Sequence, residues 1–190
     1  MNNLSLEPST KPSNFHADLA MSDSAEIEQA INTECRKHFP ELLNITKAHK
    51  LNDMLGADYF LEFPNCKMET LDIKVRKQDY SLRGDNRTAC IEIVANTTSN
   101  KKGWTIDEAK HTDWVMFYYI DSGNSYLYNA RLLRGAVIRF LPDLRKDGKA
   151  AMQTTKSGNG TYNSESLFVA HRELGRVMYL NSSHTGDNKQ

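Results

Sequence analysis

The spacing of apolar positions along the chain changes period several times, and each change marks a new element. In "SDSAEIEQAINTECRKHF" (residues 22–39), Ile27, Ala30, Ile31 and Cys35 recur at helical spacing behind Ser and Asp capping residues. This predicts a first helix with one buried stripe. "PELLNITKAHKLNDML" (40–55) reads as a second, short helix with Pro40 in its first turn. The period then becomes two. Tyr59, Leu61 and Phe63 alternate with Asp58, Phe60 and Glu62, and beyond Pro64-Asn65, Leu71, Ile73 and Val75 alternate with Thr70, Asp72, Lys74 and Arg76. Two strands of a hairpin are expected there. "TACIEIVAN", "TDWVMFYYI" and "SYLYNA" read as three further strands, with a short helix in "TIDEAKH" and a longer one in "ARLLRGAVIRFLPDL" stopped near Pro142. Gly148 to Asn163 is rich in Gly, Ser, Thr, Asn and Lys and reads as a mobile loop, and "SLFVAHRELGRVMYL" returns to structure of undecided type.

The expected fold class is therefore α/β: a single domain with a mixed, mainly antiparallel five-stranded sheet flanked by helices. A length of 190 residues with 39% hydrophobic and 25% charged residues suits one core. The expected organisation is a disordered polar tail over 1–22, the domain over 23–180 and a frayed carboxyl end over 181–190. Cys35, Cys66 and Cys90 have no paired spacing and fit a reducing compartment. Residues 1 to 22 lack the apolar core of a secretory signal, and no run approaches the ~20 apolar residues of a membrane span. A cytoplasmic protein without a membrane partner is expected.

The hairpin carries the candidate chemistry. Side chains two apart on a strand share a face, so Asp72, Lys74 and Arg76 project together, opposite Leu71, Ile73 and Val75. Burying Tyr59, Leu61 and Phe63 beside that apolar set requires residues of like parity to oppose one another, and the same register brings Asp58 to Asp72 and Lys74. If "TACIEIVAN" packs beside this hairpin with Ile91 and Ile93 in the same core, Glu92 becomes a third acid. Clustered carboxylates need a cation or a proton between them, and oxygen ligands, with the Ile73 carbonyl as one more, suit Mg²⁺ or Mn²⁺. A surface hairpin with alternating charges is the competing interpretation of the same pattern.

The order helix, Asp58 hairpin with "LDIKVRKQDY", strand "ACIEIV", Gly103-Trp104, then strands "TDWVMFYYI" and "SYLYNARLL" resembles the PD-(D/E)XK nuclease superfamily, in particular its small phage and prophage type. The resemblance covers about residues 24 to 137. It implies Asp58 and Asp72 as the two acids, Lys74 as the water-orienting lysine and Glu92 as a further acid. The implied activity is hydrolysis of phosphodiester bonds, DNA before RNA, by a metal-activated water. Ala57 stands where many members carry proline, and Asp53 competes with Asp58 as first acid. A catalytically silent module on the same scaffold, docking on nucleic acid or protein, is the alternative. Pairing of two copies to cut both strands of a duplex is left open.

Net charge is zero, so bulk attraction to nucleic acid is not expected, but the charge is unevenly spread. Residues 131–156 contain seven bases and two acids. Arg131, Arg134, Arg145 and Lys146, with Arg76 and Lys77 after the hairpin, are the expected phosphate contacts. His111, His171, Trp104 and the tyrosines read as structural.

Overall fold

The computed structural model describes residues 13–14, 24–49, 55–80, 89–157 and 160–186. The chain is α/β. Strands β1 (Ser13–Asn14), β2 (Asn44–Lys47), β3 (Tyr59–Phe63), β4 (Lys67–Arg76), β5 (Ala89–Asn96), β6 (Lys101–Lys102), β7 (Trp114–Tyr119), β8 (Ser125–Asn129), β9 (Ala150–Ser157) and β10 (Gly160–Val169) form two sheets, accompanied by helices α1 (Ala25–His38), α2 (Ala130–Lys146) and α3 (His171–Gly186). The first sheet has the order β2-β3-β4-β7-β8 and is antiparallel except at β4–β7, as the expected mixed five-stranded sheet requires. The second, β1-β9-β10-β5-β6, was not anticipated.

Alternation on the first sheet builds two cores. On one face Tyr59, Leu61, Leu71, Val75 and Met116 meet the stripe Ile27, Ile31 and Cys35 of α1, a helix capped by Ser24. On the other, Val115, Phe117 and Tyr119 join Ile91 and Ile93 of β5, Leu167 and Val169 of β10, and Leu133 and Val137 of α2. The second sheet therefore meets the first through the face that carries Asp72 and Lys74, since these pair in register with Val115 and Phe117.

The structure departs from the sequence expectation at several elements. Residues 44–47 form a strand: β-branched Ile45 and Thr46 pair with Leu61 and Phe60, and this pairing overrides the helical spacing. "TIDEAKH" makes turns, tied by Ile106 and Asp107 N–H groups donating to the Gly103 carbonyl. The supposed mobile loop is the β9–β10 hairpin. Its Ser and Thr residues lie on a long antiparallel ladder that satisfies their backbone, which composition could not reveal. Helix α2 runs past Pro142 to Lys146 because Leu144 is buried in the core. Within the expected amino-terminal tail, Ser13 and Asn14 pair in parallel with β9, and the rest of 1–22 lies outside the described residues. At the carboxyl end α3 continues to Gly186. Among the described residues, no helix is long and apolar enough to cross a membrane.

Candidate active site

Asp58 is held at three points. Its N–H donates to the Leu71 carbonyl at 2.9 Å, its carbonyl accepts from the Ala48 N–H at 2.7 Å, and Oδ2 accepts from the Ile73 N–H at 2.6 Å. The third of these bonds follows from the ladder. The β3–β4 register pairs Tyr59 with Leu71, and because the Asp58 N–H bonds to that same Leu71 carbonyl, the ladder shifts by one residue at Asp58. Beyond the end of β3, the Ile73 N–H has no strand partner, and the Asp58 side chain takes that place. A residue's N–H and C=O leave a strand on the same side, so the Ile73 carbonyl also faces away from β7. The segment before Asp58 is tied to the 110–113 turn: the Thr112 hydroxyl donates to the Gly56 carbonyl, and the His111 N–H donates to the Leu55 carbonyl. Gly56 has φ +91°, a left-handed conformation suited to glycine.

Asp72 is only 5% exposed, and its Oδ1 accepts from Lys74 Nζ at 2.7 Å. Its carboxylate is close enough to Asp58 for its charge to act on it. Burial first, and the Asp72 charge second, push the Asp58 carboxyl up to about 7, against the pull of Lys74 and the Ile73 N–H. The pair therefore holds a proton near neutrality, or a cation in its place. Lys74 Nζ also lies 4.8 Å from the centre of the Trp104 ring. Behind Asp72 is a cavity of about 10 Å³, the size of one water site, lined among others by Trp104, Thr105, Thr112 and Arg134. The Thr105 hydroxyl, on a residue 2% exposed, is buried without a hydrogen-bond partner.

Glu92 is not brought to this pair. β5 belongs to the second sheet, between β10 and β6, and Ile91 and Ile93 point into the core between the sheets. Strand alternation sends Glu92 to the opposite face. Among the described residues no three His, Cys, Asp or Glu side chains gather at one point. Asp53 lies outside the described residues.

The expected phosphate contacts divide. Arg134 is spent inside the fold, its Nε and Nη2 donating to the carbonyls of Thr105 and Lys110 at 3.0 and 3.1 Å. Arg145 makes a two-pronged pair with Glu165 at 2.8 and 2.7 Å. Arg76 is half-buried and donates to the Val75 carbonyl. Lys77, Arg131 and Lys146 are exposed. Two bases that the sequence pattern did not single out, Lys101 and Lys102, are exposed on edge strand β6, immediately before Gly103 and Trp104. Nor did it mark Trp104 and Thr105 as site residues. The only signal was the Gly-Trp pair itself, because the contact depends on how the two sheets meet.

Do these residues suit a divalent ion? Two adjacent carboxylates, a carbonyl facing the same side and an orphaned hydroxyl behind them form an all-oxygen set, and Mg²⁺ commonly uses one or two protein carboxylates and otherwise water or phosphate oxygens. The donors fit Mg²⁺ or Mn²⁺, with Asp58, Asp72 and the Ile73 carbonyl as the holding groups. Compared with protein-family models, curated proteins and solved structures, the chain gives no match.

Proposed function

We propose that the protein is a divalent-metal-dependent nuclease that hydrolyses phosphodiester bonds, in DNA before RNA. The observation that carries this reading is the buried Asp58–Asp72 pair with Lys74 bonded to it at 2.7 Å. A carboxyl raised toward neutrality by burial, as Asp58 is, gives up its proton to a cation at little cost. A divalent ion bound there supplies positive charge to a phosphoryl oxygen in the transition state. The chain's own part is positional: Asp58 and Asp72 stay fixed by the hairpin ladder, and Lys74 donates to and orients the attacking water. Exposed Lys77, Lys101, Lys102, Arg131 and Lys146 are among the bases placed to meet the phosphate backbone.

A second reading, a silent nuclease-like module that binds without cutting, is favoured by one observation: Glu92 stands on the far face, leaving two acids where a third was expected. Purified protein, incubated with closed-circular and linear, single- and double-stranded DNA in Mg²⁺ or Mn²⁺, separates the two. Cutting by wild type and none by Lys74→Ala supports hydrolysis. Mn²⁺ calorimetry that shows no binding in wild type or in Asp72→Ala, with salt-sensitive DNA binding and no cutting, supports the silent module.

A further inference from the structure

We infer that Trp104 is a positioning residue for Lys74, its indole face holding the ammonium against Asp72. This role rests on Lys74 being the water-orienting group of the proposed nuclease. A lysine ammonium sits on a flexible four-carbon stem, and one hydrogen bond to Asp72 leaves it free to rotate and swing. A ring face 4.8 Å away removes much of that freedom, and indole is the strongest natural π-face for a cation.

The backbone around Trp104 is built for a close approach. The Gly103 N–H donates to the Ile93 carbonyl at 2.8 Å, and the Gly103 carbonyl accepts from Ile106 and Asp107. A Cβ at position 103 would stand 2.3 Å from the Glu92 carbonyl oxygen and 2.7 Å from the Ile93 carbonyl carbon, both backbone atoms that cannot give way. Glycine alone lets this segment lie so close against β5, its neighbour in the second sheet. Arg134 then clamps the Thr105 carbonyl from α2. Trp104 also packs near Phe117, at 6.4 Å between ring centres, and Phe117 is the register partner of Lys74 on β7. Ordinary core packing accounts for the approach to Phe117. It does not account for an ammonium placed on the same ring, beside a carboxylate in a site that excludes most water.

The test separates shape from π-electron density. In a Trp114→Phe background, Trp104 is replaced by mono-, di- and trifluorotryptophan, which weaken the ring's attraction for a cation stepwise at nearly constant shape. Two quantities are measured: the NMR shift of the Lys74 ε-methylene in ¹³C-lysine protein, assigned by its loss in Lys74→Arg, and single-turnover cleavage of DNA in Mn²⁺. The expected result is an upfield ring-current shift that is lost in Trp104→Leu. Cleavage falls in steps with fluorination and about tenfold in Trp104→Leu, with partial recovery in Trp104→Phe. An unshifted resonance in the folded wild type, or cleavage indifferent to fluorination, overturns the inference. If wild type cuts nothing in either metal, the hydrolytic reading fails and Trp104 loses its role in it. The NMR arm then still decides whether the ring holds the ammonium, so the two failures are distinguishable.

Discussion

Asp58 Oδ2 accepts the Ile73 N–H at 2.6 Å, so a carboxylate completes a backbone ladder in which it would ordinarily have no part. That bond favours the ionised form, but burial and Asp72 outweigh it and raise the carboxyl to about 7. The unfolded value is the ordinary 3.8, so between these values the folded state binds more protons than the unfolded one. Stability from this group is complete below about pH 4 and is lost as pH rises through 7, by at most about 4 kcal/mol. In EDTA, the stability of wild type relative to Asp58→Asn, which keeps the acceptor for Ile73, should therefore fall between pH 4 and 7. Thermal melts at pH 5 and pH 8 check this. At pH 8, Asp58→Asn should melt several degrees above wild type, and Mn²⁺ should raise wild type more than the variant; parallel pH curves would rule the assignment out.

Removing the lysine should separate catalysis from folding. Lys74→Gln is expected to lower single-turnover cleavage by about 10²–10⁴-fold, the scale of a positioned proton-transfer or water-orienting group. Its melting temperature should fall only modestly, because the glutamine amide can still donate to the buried Asp72 carboxylate, which would be costly to leave without any donor. A large loss of structure in the variant would make Lys74 a folding residue instead.

Gly103→Ala should be among the most damaging small substitutions. Its Cβ meets the backbone of Glu92 and Ile93 at 2.3–2.7 Å, so β5 or the Gly103–Thr105 segment must move. A destabilisation of about 1–3 kcal/mol or more is expected by chemical denaturation, with the near-ultraviolet signal of Trp104 altered.

His171 sets a pH dependence of the opposite sign. Tyr119 and Tyr128 hydroxyls lie 2.7 and 2.6 Å from its two ring nitrogens, and Tyr126 stacks on it at 3.7 Å. Burial lowers its pKa to about 4. Because the folded value is depressed from 6.5, the contribution is present above pH 6.5 and is lost as pH falls toward 4, by about 3 kcal/mol at most. Between pH 4 and 6.5 the Asp58 and His171 slopes oppose each other, giving wild type a flat profile there. In the Asp58→Asn protein the His171 slope should emerge alone, with stability rising across that interval. A profile still flat in that variant would contradict it.

Salt dependence should sort the bases. Replacing both Lys101 and Lys102 by Gln should reduce the slope of log K against log salt for duplex DNA by up to about 0.9 for each phosphate that is no longer neutralised. Arg145→Gln should change it little, since Glu165 already neutralises that guanidinium. Fluorescence anisotropy at several salt concentrations, with EDTA present to prevent cutting, measures both.

Period-two alternation was enough to determine that the hairpin strands pair with like parity, which puts Asp72 and Lys74 on one face; the meeting with Asp58 was completed by the structure. A one-residue slip would expose Tyr59, Leu61 and Leu71, so burial sets which faces of the two strands are shared. Helical spacing likewise determined α1 and its stripe Ile27, Ile31 and Cys35. Which sheet a strand joins is a different matter. β5 has the alternation of a first-sheet neighbour, and only its long-range pairing with β10 and β6 sends Glu92 away from the acids. Polar β9 and short β2 became strands because distant partners satisfy their backbone, which no local window contains. The fates of Arg134, Arg145 and Trp104 were decided the same way: a side chain's charge or ring is written in the sequence, but the carbonyl, carboxylate or ammonium it meets is supplied by residues the chain brings back from elsewhere.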